Sequence, residues 1–230
     1  MAEGPTIHPH PPIVTDDWLA VFRELPTALL GRVMEEGFVD PDVRPMLAQS
    51  RLVGTAVTVR LPEGDVGPMF AAVDLLLPSD VLVVDAGGER HHACWGEPAA
   101  LVAKARGCAG VVIDGALTDV AALRDVGLPT FARGISSLVG RALERSSGTV
   151  NAPIQCGGVA VHPGDLVVAD DDGVVIVPTE RIVDVATEAR AYAERWRASR
   201  PWLERGGSFS ALDGLDAAGI ERLVRERGAS

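Results

Sequence analysis

Three short apolar runs, VLVVDA at 81–86, GVVID at 110–114 and LPTFA at 128–132, constrain this chain more than any other feature. They lack strict polar alternation, so they suit strands covered on both faces, as in a parallel sheet. Stretches of helical pattern at 96–106 and 118–126 fill the two intervals. Strand and helix therefore alternate as a parallel βαβ series requires, and the expected class is α/β.

The flanks extend this reading. Residues 1–14 hold Pro9, Pro11 and Pro12, which exclude regular ladders, so an irregular arm is expected. His8 and His10 could touch a metal there, although a mobile tail is the simpler account. DDWLAVFREL and then TALLGRVMEEG, closed by Gly37, read as two surface helices. RLVGTAVTVRLP at 51–62 reads as a strand, and GPMFAAVDLLL at 67–77 as a helix. Between Val150 and Pro178, three short β-rich runs separated by Gly, Pro and Asp turns imply antiparallel hairpins appended to the α/β part. Within them Asp170, Asp171 and Asp172 lack EF-hand spacing and read as a solvated turn. Residues 179–199 form a strong helical pattern with Thr179 as N-cap, and the tail beyond it carries one more amphipathic helix. The expected division is an arm at 1–14, one α/β domain at 15–199 and a helical extension at 200–230. That extension could pack on a neighbouring subunit or fold back on its own chain.

Composition narrows the partners. With 47% hydrophobic residues in 230, the chain can bury one large core. A formal charge of −11 without any local Lys/Arg run would repel phosphate backbones, so no nucleic acid partner is expected. Cys94, Cys108 and Cys156 are odd in number and scattered, which fits reduced cytoplasmic thiols and neither a disulfide framework nor a CxxC zinc site. The first residues show no basic and apolar leader pattern, and no apolar run approaches the roughly 20 residues that cross a bilayer. No membrane partner is expected.

Several phrases are specific in combination: GTAVTVR at 54–60, DVLVVDAGGER at 80–90, WGE at 95–97, GVVIDGALTD at 110–119, PTFARG at 129–134 and GGVAVHPGDLVVADDDGVVIVP at 157–178. In order and spacing they resemble the family that joins the regulators of ribonuclease activity A (RraA) to the class II 4-hydroxy-4-methyl-2-oxoglutarate aldolases, often mislabelled demethylmenaquinone methyltransferases. The likeness runs over roughly residues 15–190. It implies an RraA-like αββα sandwich with a swivelling-domain-like core, assembled as a homotrimer or homohexamer with active sites between subunits.

The aldolase pattern is an acid, twenty residues, then Arg-Asp, with another acid three places further on. Here Glu97 and Asp119 fill the first acid and the Asp, while Thr118 stands in the Arg position and Ala122 in that of the last acid. From residue type alone, Asp119 reads first as a cap for the helix that follows it. The resemblance implies instead that Asp119 ligates Mg²⁺ or Mn²⁺ directly and Glu97 through a water. It implies further that amides around Gly87, Gly88 and Gly96 hold a substrate carboxylate, although those glycines could serve only as turn residues. Losing the Arg would cost on the order of 10² to 10³ in rate. Arg90, His91, His92 and Arg133 are the candidates to replace its charge or to shuttle protons, with an exposed polar turn as the plain alternative for the histidines. Asp114 could fix the loop carrying Asp119, Trp95 is expected to pack beneath the site, and His162 to face solvent or a subunit contact.

Two functions follow. One is a divalent-metal-dependent carbon–carbon lyase, aldolase or oxaloacetate decarboxylase in type, that releases pyruvate from a small 2-oxo acid through a metal-stabilised enolate, with its substrate altered because Thr118 replaces the Arg. The other is a non-catalytic RraA-like protein-binding regulator, which would tolerate both Thr118 and Ala122.

Overall fold

The computed structural model describes residues 4–143 and 147–208. Its strands are β1 (Thr6–Ile7), β2 (Arg44–Pro45), β3 (Leu52–Arg60), β4 (Asp80–Trp95), β5 (Gly110–Leu117), β6 (Thr130–Ile135), β7 (Leu138–Val139), β8 (Thr149–Val150), β9 (Ile154–Cys156), β10 (Val159–Val161), β11 (Leu166–Asp170) and β12 (Gly173–Val177). The helices are α1 (Asp16–Arg23), α2 (Thr27–Leu30), α3 (Gly67–Leu75), α4 (Glu97–Ala105), α5 (Val120–Val126) and α6 (Ile182–Glu204). β3, β4, β5 and β6 pair in parallel, as the alternating runs require, with α3, α4 and α5 as the crossovers.

Alternation along β4 assigns the layers. Leu82 and Val84 pack with Met69, Ala72, Ala100, Ala103 and Leu123 of α3, α4 and α5. Val81 and Val83 point the other way, onto Ile154 and Val161 of the β9–β10 hairpin and Val167 and Ile176 of the β11–β12 hairpin. The far side of that second hairpin, Val168, Val175 and Val177, is covered by Leu19, Phe22, Leu30 and Val185. The order through the molecule is helix, sheet, sheet, helix. A period of two in the strands is what makes each β layer two-sided.

Several elements differ from the sequence expectation. The arm is not wholly irregular: β1 pairs in parallel with β8, because Pro5 precedes it and Pro9, Pro11 and Pro12 follow it, leaving the amides of Thr6 and His8 for the ladder. α2 stops at Leu30, just before Gly31, and the next amides form tighter turns, Arg32 to Leu29 and Val33 to Leu30. The β11–β12 hairpin is part of the main sheet, since β11 runs antiparallel to β3. Thr179 sits in a 3₁₀ turn and gives its hydroxyl to Gly164 O at 2.9 Å, so it does not cap α6. α6 runs unbroken across residue 200, where a boundary was expected. The helix expected in the tail lies outside the described residues. Asp170 turns inward, accepting the Thr27 amide at 2.9 Å at the start of α2. Among the described residues no helix is long and apolar enough to cross a membrane.

The largest departure is β4. Its partners on β5 advance three residues, from Asp114 to Leu117, while β4 itself advances ten, from Asp85 to Trp95. The surplus is thrown out as bulges, and Gly87 and Gly88, at φ +65° and +74°, supply the left-handed backbone that the first excursion needs. The expected glycine turn is therefore a bulged strand.

Ile113 lies fully buried at the centre of the parallel sheet. Ile113→Ala should lower unfolding free energy by about 2–5 kcal/mol in urea denaturation. Val183→Ala, on the exposed face of α6, should change it by less than about 0.5 kcal/mol.

Candidate functional site

β5 is buried along its whole length and ends at Leu117. Asp119 then takes a left-handed conformation, φ 57° and ψ 35°, before α5 begins. Aspartate tolerates that region better than most residues. Its carboxylate makes no cap bond to its own helix. Oδ2 instead accepts the amide of Glu97, the first residue of α4, at 3.1 Å. A carboxylate at a helix amino end is electrostatically favourable. Thr118 donates its amide to Trp95 O at 2.9 Å, and its hydroxyl lies 3.5 Å from Asp119 Oδ1. Glu97, Thr118 and Asp119 are thus brought together at the carboxyl end of a parallel strand, with Trp95 fully buried below.

Gly96 completes this cluster through close approach. A Cβ added there would lie 2.5 Å from Asp119 Oδ2 and 3.1 Å from Thr118 Cγ2. Only a residue without a side chain lets the carboxylate reach the α4 amide.

The cations expected to replace the missing Arg are already engaged. Arg133 Nε bonds Asp114, its Nη1 lies 3.0 Å from Asp40, and its side chain is 12% exposed. Burial works against its charge, but the two carboxylates prevail and hold its proton more firmly than usual. Asp114 also accepts the Gly157 amide at 2.7 Å. It therefore ties the β9–β10 turn to Arg133 and does not fix the Asp119 loop. Arg90 pairs with Asp42, both of them well exposed. Glu89 clamps the bulge: burial opposes its ionisation, yet the amides of His91 and His92 and the His92 ring, at 3.0 Å, hold its carboxyl below the ordinary range. His91 stays exposed on the surface of that bulge.

A cleft of about 950 Å³ opens beside the bulge. Gly87, Gly88, Arg60, Asp85, Gln155 and His162 line it, whereas Gly96, Glu97, Thr118 and Asp119 do not. The structure divides the expected site between an Asp119 cluster and this cleft. Glu89, Asp40 and Asp42 were missed because their role is to engage cations and amides brought near by folding. Only Glu89, two residues before His91, had a local signal.

Among the described residues, no three His, Cys, Asp or Glu side chains gather as a metal cage. An exposed carboxylate with a second acid at the adjoining helix start suits a hard cation that keeps several waters. It does not suit tetrahedral zinc. The cysteines are poor nucleophiles. Burial pushes the thiol of Cys94 up to about 12, that of Cys108 up to about 11, and that of Cys156 higher still.

This arrangement can be set beside known proteins. The model for RraA-like proteins, described as Aldolase/RraA, matches residues 16–176. The chain belongs to the RraA-like family. A relative from Halalkalibacterium halodurans, provisionally named 4-hydroxy-4-methyl-2-oxoglutarate aldolase, is 32% identical over 202 residues, covering 82% of this chain and 95% of its own. The crystal structure of Streptomyces coelicolor RraAS2, described as an unusual member of the RNase ES inhibitor RraA family, superposes with a TM-score of 0.73 at 25% identity, covering 84% of this chain and 98% of that one. RraA from Thermus thermophilis, described as an RNA-processing inhibitor, gives a TM-score of 0.60 at 28% identity over 66% of this chain and 91% of its own. The αββα arrangement is thus that of an RraA-like protein.

Gly96→Ala should destabilise the fold by about 1–3 kcal/mol through overpacking. In an Asp119→Gly background, where the closest clash is gone and the left-handed backbone is kept, the same change should cost less, the contact left being Thr118 Cγ2 at 3.1 Å, a coupling that a double-mutant cycle in urea would read. Iodoacetamide at pH 8 should leave all three thiols of the native protein unlabelled by mass spectrometry and label them after unfolding.

Proposed function

We propose that this chain is a divalent-cation-dependent carbon–carbon lyase that releases pyruvate from a small 2-oxo acid of the 4-hydroxy-2-oxo diacid or oxaloacetate type. The observation carrying this reading is Asp119. Its exposed carboxylate is held in a rarely populated backbone conformation, is unused by its own helix, and stands where open α/β sheets take ligands. Similarity to the Halalkalibacterium halodurans relative supports the same chemistry.

Asp119, with Glu97 acting through water, would hold Mg²⁺ or Mn²⁺, which when bound supplies Lewis-acid polarisation of a 2-oxo oxygen. Gly96 opens the amino end of α4, the better placed of the candidate carboxylate holders; Gly87 and Gly88 would act from the cleft wall. Thr118 offers a hydroxyl where a cation would stabilise developing charge. Of the remaining cations Arg90 is the better replacement. Its exposed pair with Asp42 is worth only about 0–1 kcal/mol, so it can leave, whereas Arg133 is buried between two carboxylates. His91, exposed, is the candidate proton shuttle, since His92 is committed to Glu89. Exposed Ile135, Leu138, Val139 and Leu143 suit a subunit contact in a homotrimer or homohexamer.

A regulator that binds protein is the second reading. Thr118, Ala122 and the resemblance to structures described as ribonuclease inhibitors favour it. Purified protein with Mg²⁺ or Mn²⁺ should release pyruvate from 4-hydroxy-4-methyl-2-oxoglutarate or oxaloacetate above the metal-only rate. Asp119→Ala should return release to that background, and Thr118→Arg should raise aldolase turnover by about 10- to 1000-fold. No release from either substrate, with Thr118→Arg silent as well, would leave the regulator.

A further inference from the structure

The amino-terminal arm carries an unusual buried contact. Asp80, at the start of β4, is fully buried. Its Oδ2 accepts the Leu77 amide at 2.7 Å and faces His10 Nε2 at 2.8 Å, while Oδ1 has no hydrogen-bond partner among the described residues. The other ring nitrogen of His10 faces Pro11 O at 2.9 Å. Both nitrogens therefore meet acceptors, and a neutral imidazole has one N–H for two of them. The contact is satisfied only when the pair holds one more proton than neutral histidine beside a carboxylate, either as imidazolium and carboxylate or as imidazole and carboxylic acid.

The arm is anchored on both sides of this pair. Beyond it, Pro11 and Val14 are buried and the Val14 amide donates to Thr55 Oγ1 at 2.9 Å. Before it, Thr6 and His8 donate to Gly148 O and Val150 O, each at 3.0 Å. Ser147 and Gly148 wall the large cleft. We propose that the arm is a proton-dependent latch: docked while the His10–Asp80 pair carries its extra proton, and released from residues 147–150, hence from the cleft wall, as that proton leaves.

Beside the pair, one other buried carboxyl near the arm is also raised by burial, that of Asp165. The α3–β4 loop presents the Leu77 amide, and β3 presents the Thr55 hydroxyl. The loop before β5 presents Cys108, whose thiol donates to Asp80 O at 3.2 Å and, pushed up to about 11, stays protonated. On the arm itself His8 is exposed. Across the arm, Pro11 meets the turn at Gly164, where the Asp165 carboxylate accepts the His162 and Thr179 amides. Burial raises the Asp80 carboxyl above its ordinary range, with the Leu77 amide and His10 opposing it. A raised value favours the protonated, docked form at low pH and weakens it as pH rises. Docking should therefore loosen as pH rises.

Hydrogen–deuterium exchange on the full chain, corrected for intrinsic rates, tests this. Protection of the Thr6 and His8 amides should fall at least tenfold between pH 6 and pH 9. In the His10→Gln/Asp80→Asn double variant, which keeps amide partners at both positions and removes both titrating groups, protection should be flat across that range, at whatever level. Unchanged protection in the wild-type chain, or the same fall in the double variant, would overturn the latch.

Discussion

The unequal advance of β4 and β5 shapes everything around the candidate site. Two parallel strands that keep register over Val81–Asp85 lose it immediately afterwards, because β4 uses ten residues where β5 uses three. The parallel sheet, packed on both faces, does not bend to absorb the difference, so the surplus residues leave its plane. This puts Gly87 and Gly88 on one cleft, raises Arg90 and His91 to the surface, and still returns Trp95 to the core beside Leu117. The WGE turn then meets the Thr118–Asp119 turn, and the amino end of α4 can touch the Asp119 carboxylate.

Much of this order was legible in the chain. Apolar runs at 81–86, 110–114 and 128–132 reported the buried parallel strands correctly, since burial on both faces is a property of the residues themselves. The resemblance through WGE and GVVIDGALTD identified the family and brought Glu97 and Asp119 to attention together. Other features depend on partners far apart in sequence. Nothing in GGERHHACW distinguishes a turn from a bulged strand, because the answer rests on how many residues β5 offers opposite. Arg133 reads as a free cation until folding brings Asp40 and Asp114 to it. The prolines of the arm hide β1, whose ladder uses the amides of Thr6 and His8 outside the proline-rich stretch.

Charge placement follows a consistent logic in this acidic chain. Its buried cation, Arg133, holds β6 to the β9–β10 turn through Asp114 and so serves the fold. Arg90, the charge that can move, lies on the bulge beside His91, where solvent screens it and ion pairs are weak. A buried pair stripped of one partner leaves an uncompensated charge, a cost of several kcal/mol. For that reason Arg133 is a poor source of substrate affinity, and a surface pair that opens at little cost is a better one.

On the lyase reading proposed above, Thr118 would matter to Asp119 as well as to a substrate. An arginine in its place would set a cation beside the carboxylate and repel a metal ion bound there, offsetting part of the attraction between them. The threonine hydroxyl, 3.5 Å from Oδ1, carries no such charge. Oδ2 is occupied by the Glu97 amide, so Oδ1 is the oxygen on which a cation would act. On that reading the threonine would weaken stabilisation of a reacting anion while leaving the full carboxylate charge for a metal. If the proposed lyase reading holds, a chain with these residues should bind a divalent cation at least as well as an Arg-bearing relative and turn over an anionic substrate more slowly, so that binding and turnover would be separable there.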